Sequence, residues 1–324
     1  MEHFFPAHEQ TPQLRAYEAL QFGVIAHFNL QQFVYTKEEF VSKNDPALWK
    51  PEQLDVEQWC KNWSDAGVKY AVLTVRHTSD FCLWYTDTTP YHVMNSPVML
   101  DVVAEFVKYA RQYDIKPCFY YCLWGGAFNP QENARQILLN QLDELATRYG
   151  DIFLFWLDMA NWLPDNTTVN EIYQFLKKRQ PNTLVHFNQH IQDGTQIHYF
   201  PTDALNGEER IPPESGHEKY REIAGKTYYL PFEYEICLQQ VDEDVGKGYT
   251  RGTRWFTYSG GYPDMPISHP APPELIHPYI RDALRRGASN VLVSTAADHT
   301  GQVRPQDIEA LKAIRDIISE ERCR

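Results

Sequence analysis

An α/β fold of the (β/α)8, TIM-like barrel type is what this sequence predicts, irregular in places and with no β-sandwich expected behind it. Three observations lead there. Short apolar runs alternate with amphipathic helical stretches along most of the chain. The run 151–158, Asp-Ile-Phe-Leu-Phe-Trp-Leu-Asp, is apolar on both faces, as strands of parallel barrels are. The strands also end in His, Arg, Asp or Asn, which suits a barrel whose chemistry gathers on its C-terminal rim.

In chain order, 22–28 (Phe-Gly-Val-Ile-Ala-His-Phe) reads as a first buried strand. A helix follows over 55–66, with Trp59, Trp63 and Ala66 on one side and Gly67 as its C-terminal stop. The stretch 69–77 is a second strand ending in Arg76-His77, and 101–113 a helix with Val102, Phe106, Val107 and Ala110 at helical spacing. Strand 115–123 precedes a long helix, 134–148, closed by Gly150. After strand 151–158 come helix 169–180 and strand 183–188, and near the end helix 278–287, strand 289–294 and helix 305–320. The poorly periodic, Pro-, Gly- and Glu-rich stretch 189–252 reads as long rim loops, so one catalytic domain over 1–324 is expected.

Composition narrows the function classes. Hydrophobic residues are 43% and charged ones 23%, ordinary for a globular protein, whereas 14% aromatics suit either a bulky core or rings stacked on sugars. The net charge is −13 without a basic cluster, which disfavours nucleic acid and weakly favours a neutral substrate. The N-terminus lacks a basic region followed by a long apolar core, and no apolar run has the roughly 18 residues of a membrane span. The six cysteines lack zinc or disulfide spacing, so buried free thiols and a cytoplasmic location are expected.

Asp158 closes an otherwise apolar strand, so its carboxylate is either satisfied by local hydrogen bonds or is a working group. His27 and His77 end two other strands and should face the same rim. Either could be a core histidine bonded to a carbonyl. Zinc ligation lacks the His-x-His or His-Glu-x-x-His spacing, so no metal and no cofactor are expected.

These strand ends resemble glycoside hydrolase family 29, the α-L-fucosidases. The family strand F-G-(I/M)-(F/M)-I-H-W-G is similar to Phe22-Gly23-Val24-Ile25-Ala26-His27-Phe28-Asn29. Its A-G-A-K-Y followed by V-L-T-x-K-H-H-D-G-F-x-L-W is similar to the run from Ala66 to Trp84. Tyr120-Tyr121, then Tyr149-Gly150-Asp151 through Trp156-Leu157-Asp158, match in order, and a looser echo of the G-G-N-x-L-L signature starts at Gly287. Three departures stand out: Thr78 replaces the second histidine of the pair, His27-Phe28-Asn29 replaces His-Trp-Gly, and His186-Phe187-Asn188 lacks the usual arginine.

The resemblance implies a retaining enzyme that removes α-L-fucose from fucosylated oligosaccharides or glycosides. Asp158 would be its nucleophile, and His27, His77, Tyr120 and Trp156 would line the sugar pocket. Two carboxyl groups roughly 5–5.5 Å apart and an acid of raised pKa go with that mechanism. Two glutamates compete for the acid/base: an Asn-Gly-Glu arrangement selects Glu208, and a pattern like D-(F/Y)-x-T-P-E selects Glu214. Glu233 could be a structural or sugar-contacting carboxylate. Linkage, aglycone and a homo-oligomeric state stay open. Two rival readings are a fucose-binding protein without catalysis and, further off, a metal-dependent hydrolase using His27, His77 and Asp158.

Overall fold

The computed structural model describes residues 3–34, 45–124, 133–190, 196–208, 217–245, 253–261 and 265–324. Eight parallel strands build its main sheet: β1 (Phe22–Ala26), β2 (Tyr70–Arg76), β3 (Lys116–Cys122), β4 (Leu154–Asp158), β5 (Leu184–Phe187), β6 (Leu205–Glu208), β7 (Phe232–Cys237) and β8 (Asn290–Ser294). Their order is β5-β4-β3-β2-β1-β8-β7-β6, so the sheet curls until β5 and β6 meet. No ladder joins that last pair. The seam is closed by the segment before β6: Asp203 N donates to Val185 O and Val185 N to Asp203 Oδ2, both at 2.8 Å, and Phe187 N donates to Thr202 Oγ1 at 3.2 Å.

The helices outside form where the sequence supplies caps and one apolar face. Asp55 accepts from Gln58 N and opens α2 (Val56–Asp65), which buries Val56, Trp59, Cys60 and Trp63. Asp101 likewise caps α3 (Val102–Gln112), which packs on α2. Such caps are worth about 1 kcal/mol each. Gly67, at φ +91°, ends the α2 turn in the left-handed region.

Two expectations needed correcting. The stretch 189–252 holds barrel strands β6 and β7 and a hairpin, Tyr220–Ile223 with Lys226–Tyr229, so it is not loop throughout. The helix expected at 278–287 runs over Pro273–Arg285 and carries Pro278 inside it. Its true opening is the Pro272-Pro273 pair, since proline at the first helical position forfeits no hydrogen bond.

Inside the barrel, side chains at alternate positions point to the axis and stack in layers. Helix α1 (Pro12–Leu20) plugs the N-terminal end, inserting Leu14 and Tyr17 among Ile25, Tyr70, Leu154 and Leu292. Gly23 makes room for Tyr70, because a Cβ there would come within 2.4–2.6 Å of the Tyr70 ring. Above them lies Glu233, fully buried, which accepts from Tyr17 OH at 2.7 Å, Tyr70 OH at 2.6 Å and Trp156 Nε1 at 3.1 Å. Burial pushes the Glu233 carboxyl up, against the pull of those three donors. The six cysteines are free, five buried and Cys323 exposed. Among the described residues, no helix is long and apolar enough to cross a membrane.

Candidate active site

At the C-terminal rim the axial positions change from apolar to polar and enclose a cavity of about 170 Å³. His27, His77, Tyr120, Trp156, Asp158 and Glu208 all line it. Glu214 lies outside the described residues.

Strand alternation delivers most of these groups. Ile25 faces the axis, so His27 does too; Leu154, Trp156 and Asp158 form one inward column, and Leu184, His186 and Asn188 the next. His77 needs something more. Tyr70 and Val72 point inward, so strict alternation would send Arg76 inward and His77 outward. A register shift between Thr74 and Arg76 in the β2–β3 pairing inverts that parity. Arg76 then lies over the outward-facing Tyr121 ring, pairs with Asp80 and donates to Trp124 O at 3.0 Å. His77 turns inward and stacks on Tyr120, with ring centroids 5.5 Å apart and 17° between planes. Tyr120 stacks in turn on Trp156 at 5.5 Å and 21°. The result is a ladder of rings across β2, β3 and β4 that forms one wall of the cavity.

Asp158 is held by several donors. Tyr120 OH donates to Oδ2 at 2.6 Å; Met159 N at 2.7 Å and Asn188 Nδ2 at 2.9 Å donate to Oδ1, and His190 Nε2 stands 3.2 Å from the same oxygen. Met159 adopts φ +59°, ψ +39°, a left-handed conformation that is costly for a side chain of its kind. It turns the Met159 N–H back onto the carboxylate. Burial pushes the Asp158 carboxyl up, yet His190, Tyr120 and the Met159 N–H together hold it down to about 2. Asp158 is therefore ionised at neutral pH.

Asn188 links the two carboxylates. Its Nδ2 lies 2.9 Å from Asp158 Oδ1 and 2.6 Å from Glu208 Oε2, so those oxygens are separated by at most the two lengths end to end, about 5.5 Å. The Asn188 side chain is itself aimed by Asn206 Nδ2 and His190 N, which donate to its Oδ1 at 2.9 and 3.1 Å. The position where an arginine was missing thus carries a neutral bridge, while His190, two residues on, supplies a group able to carry positive charge.

Beside the ring ladder, His27 Nδ1 is 3.1 Å from Ser294 Oγ, and its ring meets His77 and Tyr120 at centroid distances of 5.3 and 5.7 Å and Trp255 and Phe256 at 5.3 and 5.5 Å. Burial pushes the His27 imidazole well below its ordinary value, His77 adds to this, and Asp158 opposes it. Burial likewise takes His77 down to about 4 against the pull of Asp158. Both rings are neutral at pH 7, so each offers one donor and one acceptor, a set suited to hydroxyl groups. Among the described residues, no group of three or more His, Cys, Asp or Glu gathers as metal ligands.

Comparison with known proteins identifies the family of the chain. A family model described as Alpha-L-fucosidase matches residues 4–318. The chain belongs to the α-L-fucosidase family. Over 144 residues it is 31% identical to Alpha-L-fucosidase 1 of Arabidopsis thaliana, a match covering 43% of this chain and 28% of that protein. The matched segment thus spans under a third of the length of that curated relative. Among solved structures, a GH29 α-L-fucosidase from Bacteroides thetaiotaomicron superposes with a TM-score of 0.73 at 20% identity, covering 98% of this chain and 77% of that one. A second, described as a GH29 α-L-fucosidase trapped as a covalent intermediate with 2-fluoro-fucosyl fluoride, from the same organism, gives 0.69 at 20% identity over 98% and 76%. At such identity these structures establish the fold, a TIM-like barrel.

Asn188, His190, Glu235, Trp255, Thr78 and Met159 also line the cavity; of these, the sequence reading named Thr78 and Asn188 only as departures from the family pattern and did not name the other four. Asn188 was legible as the next inward position after His186. Glu235, inward-facing on β7 and the register neighbour of Glu208, was hidden because its strand was read as loop.

Proposed function

We propose that the chain works as one catalytic barrel, a retaining α-L-fucosidase acting on fucosylated oligosaccharides or glycosides by double displacement. The observation that carries this reading is the shared Asn188 nitrogen, which keeps an Asp158 oxygen and a Glu208 oxygen within about 5.5 Å. Oxygens held this close suit a retaining pair, whose carboxyl groups stand roughly 5–5.5 Å apart. The cavity supports it as well. Engineered cavities of about 150 Å³ accept a benzene ring, so about 170 Å³ open at the rim suits one sugar unit.

In the first step Asp158 attacks the anomeric carbon. Among the described residues, its Oδ1 is occupied by donors from Met159, Asn188 and His190, whereas Oδ2 has the single donor Tyr120 and keeps a lone pair for attack. As the Asp158–carbon bond forms, the bond to the leaving oxygen breaks and that oxygen takes the Glu208 proton. In the second step Glu208 removes a proton from water, whose oxygen attacks the same carbon and releases Asp158. His27 and His77 hold sugar hydroxyls while the Tyr120 and Trp156 rings cover an apolar face. The covalent intermediate trapped in the structural relative belongs to this reaction type.

The test is hydrolysis of an aryl α-L-fucoside with the first-formed product anomer read by NMR. Retention in the native protein and loss of nearly all turnover in Asp158→Ala are expected. Inversion, or wild-type turnover in the variant, would refute the assignment. Fucose binding without any hydrolysis would favour a binding protein instead.

A further inference from the structure

We propose that Trp124 and Trp162 form an aromatic shelf at the cavity mouth that binds a neutral pyranose attached beyond the scissile bond. This rests on the proposed glycosidase function and adds the subsite for the leaving group. A cavity of about 170 Å³ takes a single sugar, so whatever that sugar is attached to must lie on the rim.

Trp124 stands at the right height. Cys118, Tyr120 and Cys122 face the axis along β3, and the alternation puts Trp124 one layer above Cys122, the register partner of Asp158. It packs, half-buried, against the inward-facing cluster. Its backbone is fixed on both sides: Leu123 N donates to Asp158 O at 2.9 Å, and the buried Arg76 donates to Trp124 O at 3.0 Å.

Trp162 extends this wall outward. Five of the eight tryptophans are fully buried and two are half-buried, whereas Trp162 is 59% exposed. It is not on a loose loop. The 3-10 turn Ala160–Trp162 follows the nucleophile strand through the single left-handed residue Met159, and Trp162 N donates to Met159 O at 2.9 Å. The same strained residue therefore aims an N–H at Asp158, contributes to the cavity wall and sets Trp162 at the rim. The two indoles lie 6.4 Å apart with 55° between their planes, an open angle in which a ring can rest against both. Indole faces match the C–H faces of a pyranose and offer nothing to an anion, in keeping with a net charge of −13.

The experiment compares Trp162→Ala, Trp162→Phe and the native chain on fucosyllactose and on fucosyl fluoride, whose leaving group is one atom. Trp162→Ala should lose about tenfold in kcat/KM on fucosyllactose, mainly through KM, with fucosyl fluoride unchanged and Trp162→Phe in between. An equal loss on both substrates, or none on fucosyllactose, overturns the shelf. If the native chain cleaves neither substrate, the glycosidase reading falls. Lactose titration followed by tryptophan fluorescence then decides the shelf: a saturable change abolished in Trp162→Ala supports it, and no change in the native chain overturns it.

Discussion

Replacing Asn188 by alanine and by aspartate separates the bridge's catalytic role from its structural one. Alanine removes the donor shared by Asp158 and Glu208, and also the oxygen that accepts from Asn206 and His190. Asp158 keeps Tyr120, Met159 and His190, so it stays in place, and the loss falls on the spacing of the two carboxylates. One hydrogen bond to a charged group is worth about 1.5–3 kcal/mol, so kcat/KM on an aryl α-L-fucoside should fall about ten- to two-hundred-fold. Leaving buried donors unpaired should also lower stability by about 1–3 kcal/mol, read from urea unfolding. Aspartate preserves the accepting oxygen but places a third negative charge between the other two. Asn188→Asp should therefore be the less active of the two variants and no more stable than Asn188→Ala, since the added charge is buried beside two others. Activity within about twofold of native in Asn188→Ala, or an Asn188→Asp variant at least as active as the alanine one, would refute the bridge.

Other consequences follow from the same contacts. Tyr120→Phe keeps the ring in the ladder but deletes the 2.6 Å bond to Asp158 Oδ2, and kcat/KM should drop about ten- to a hundredfold with little change in melting temperature. Asp158 titrates at about 2 when folded, below its ordinary value of about 3.9, so its contribution to stability is complete above about pH 4 and lost as pH falls toward 2. His190→Ala should raise that value and move the acid limb of the pH–kcat/KM profile upward; an unmoved limb would remove His190 from this role. Glu233→Ala leaves the Tyr17 and Tyr70 hydroxyls and the Trp156 N–H without their acceptor, and should cost about 3–5 kcal/mol in urea unfolding, with Glu233→Gln milder.

Much of the site was legible because it follows from parity. His27, Trp156 and Asp158 each sit an even number of residues from an inward-facing apolar position, and a buried strand ending in a carboxylate is a strong signal. His77 was correctly placed on the rim, but its inward aim depends on the β2 register shift, which no periodicity reveals. Strands β6 and β7 were missed for a physical reason. Leu205-Asn206-Gly207-Glu208 is four residues long with a glycine inside, and Phe232-Glu233-Tyr234-Glu235-Ile236-Cys237 alternates apolar with acidic residues. In isolation that pattern describes a strand with one face in water. In this barrel the acidic face is the lumen, where Glu233 meets Tyr17, Tyr70 and Trp156, partners that lie 77 to 216 residues away in the chain. The pairing of Glu208 with Asp158 through Asn188 was likewise invisible, because it depends on how β4, β5 and β6 meet at the seam.

The central claim is that Asp158 forms a bond to the sugar. Incubating the native chain with 2-deoxy-2-fluoro-fucosyl fluoride slows both chemical steps, and the activated leaving group lets the intermediate accumulate. Peptide mapping by mass spectrometry should then place one fluorofucosyl group on the peptide containing Asp158, with none in Asp158→Ala. A label on another carboxylate, or hydrolysis with inversion and no label, would contradict the account.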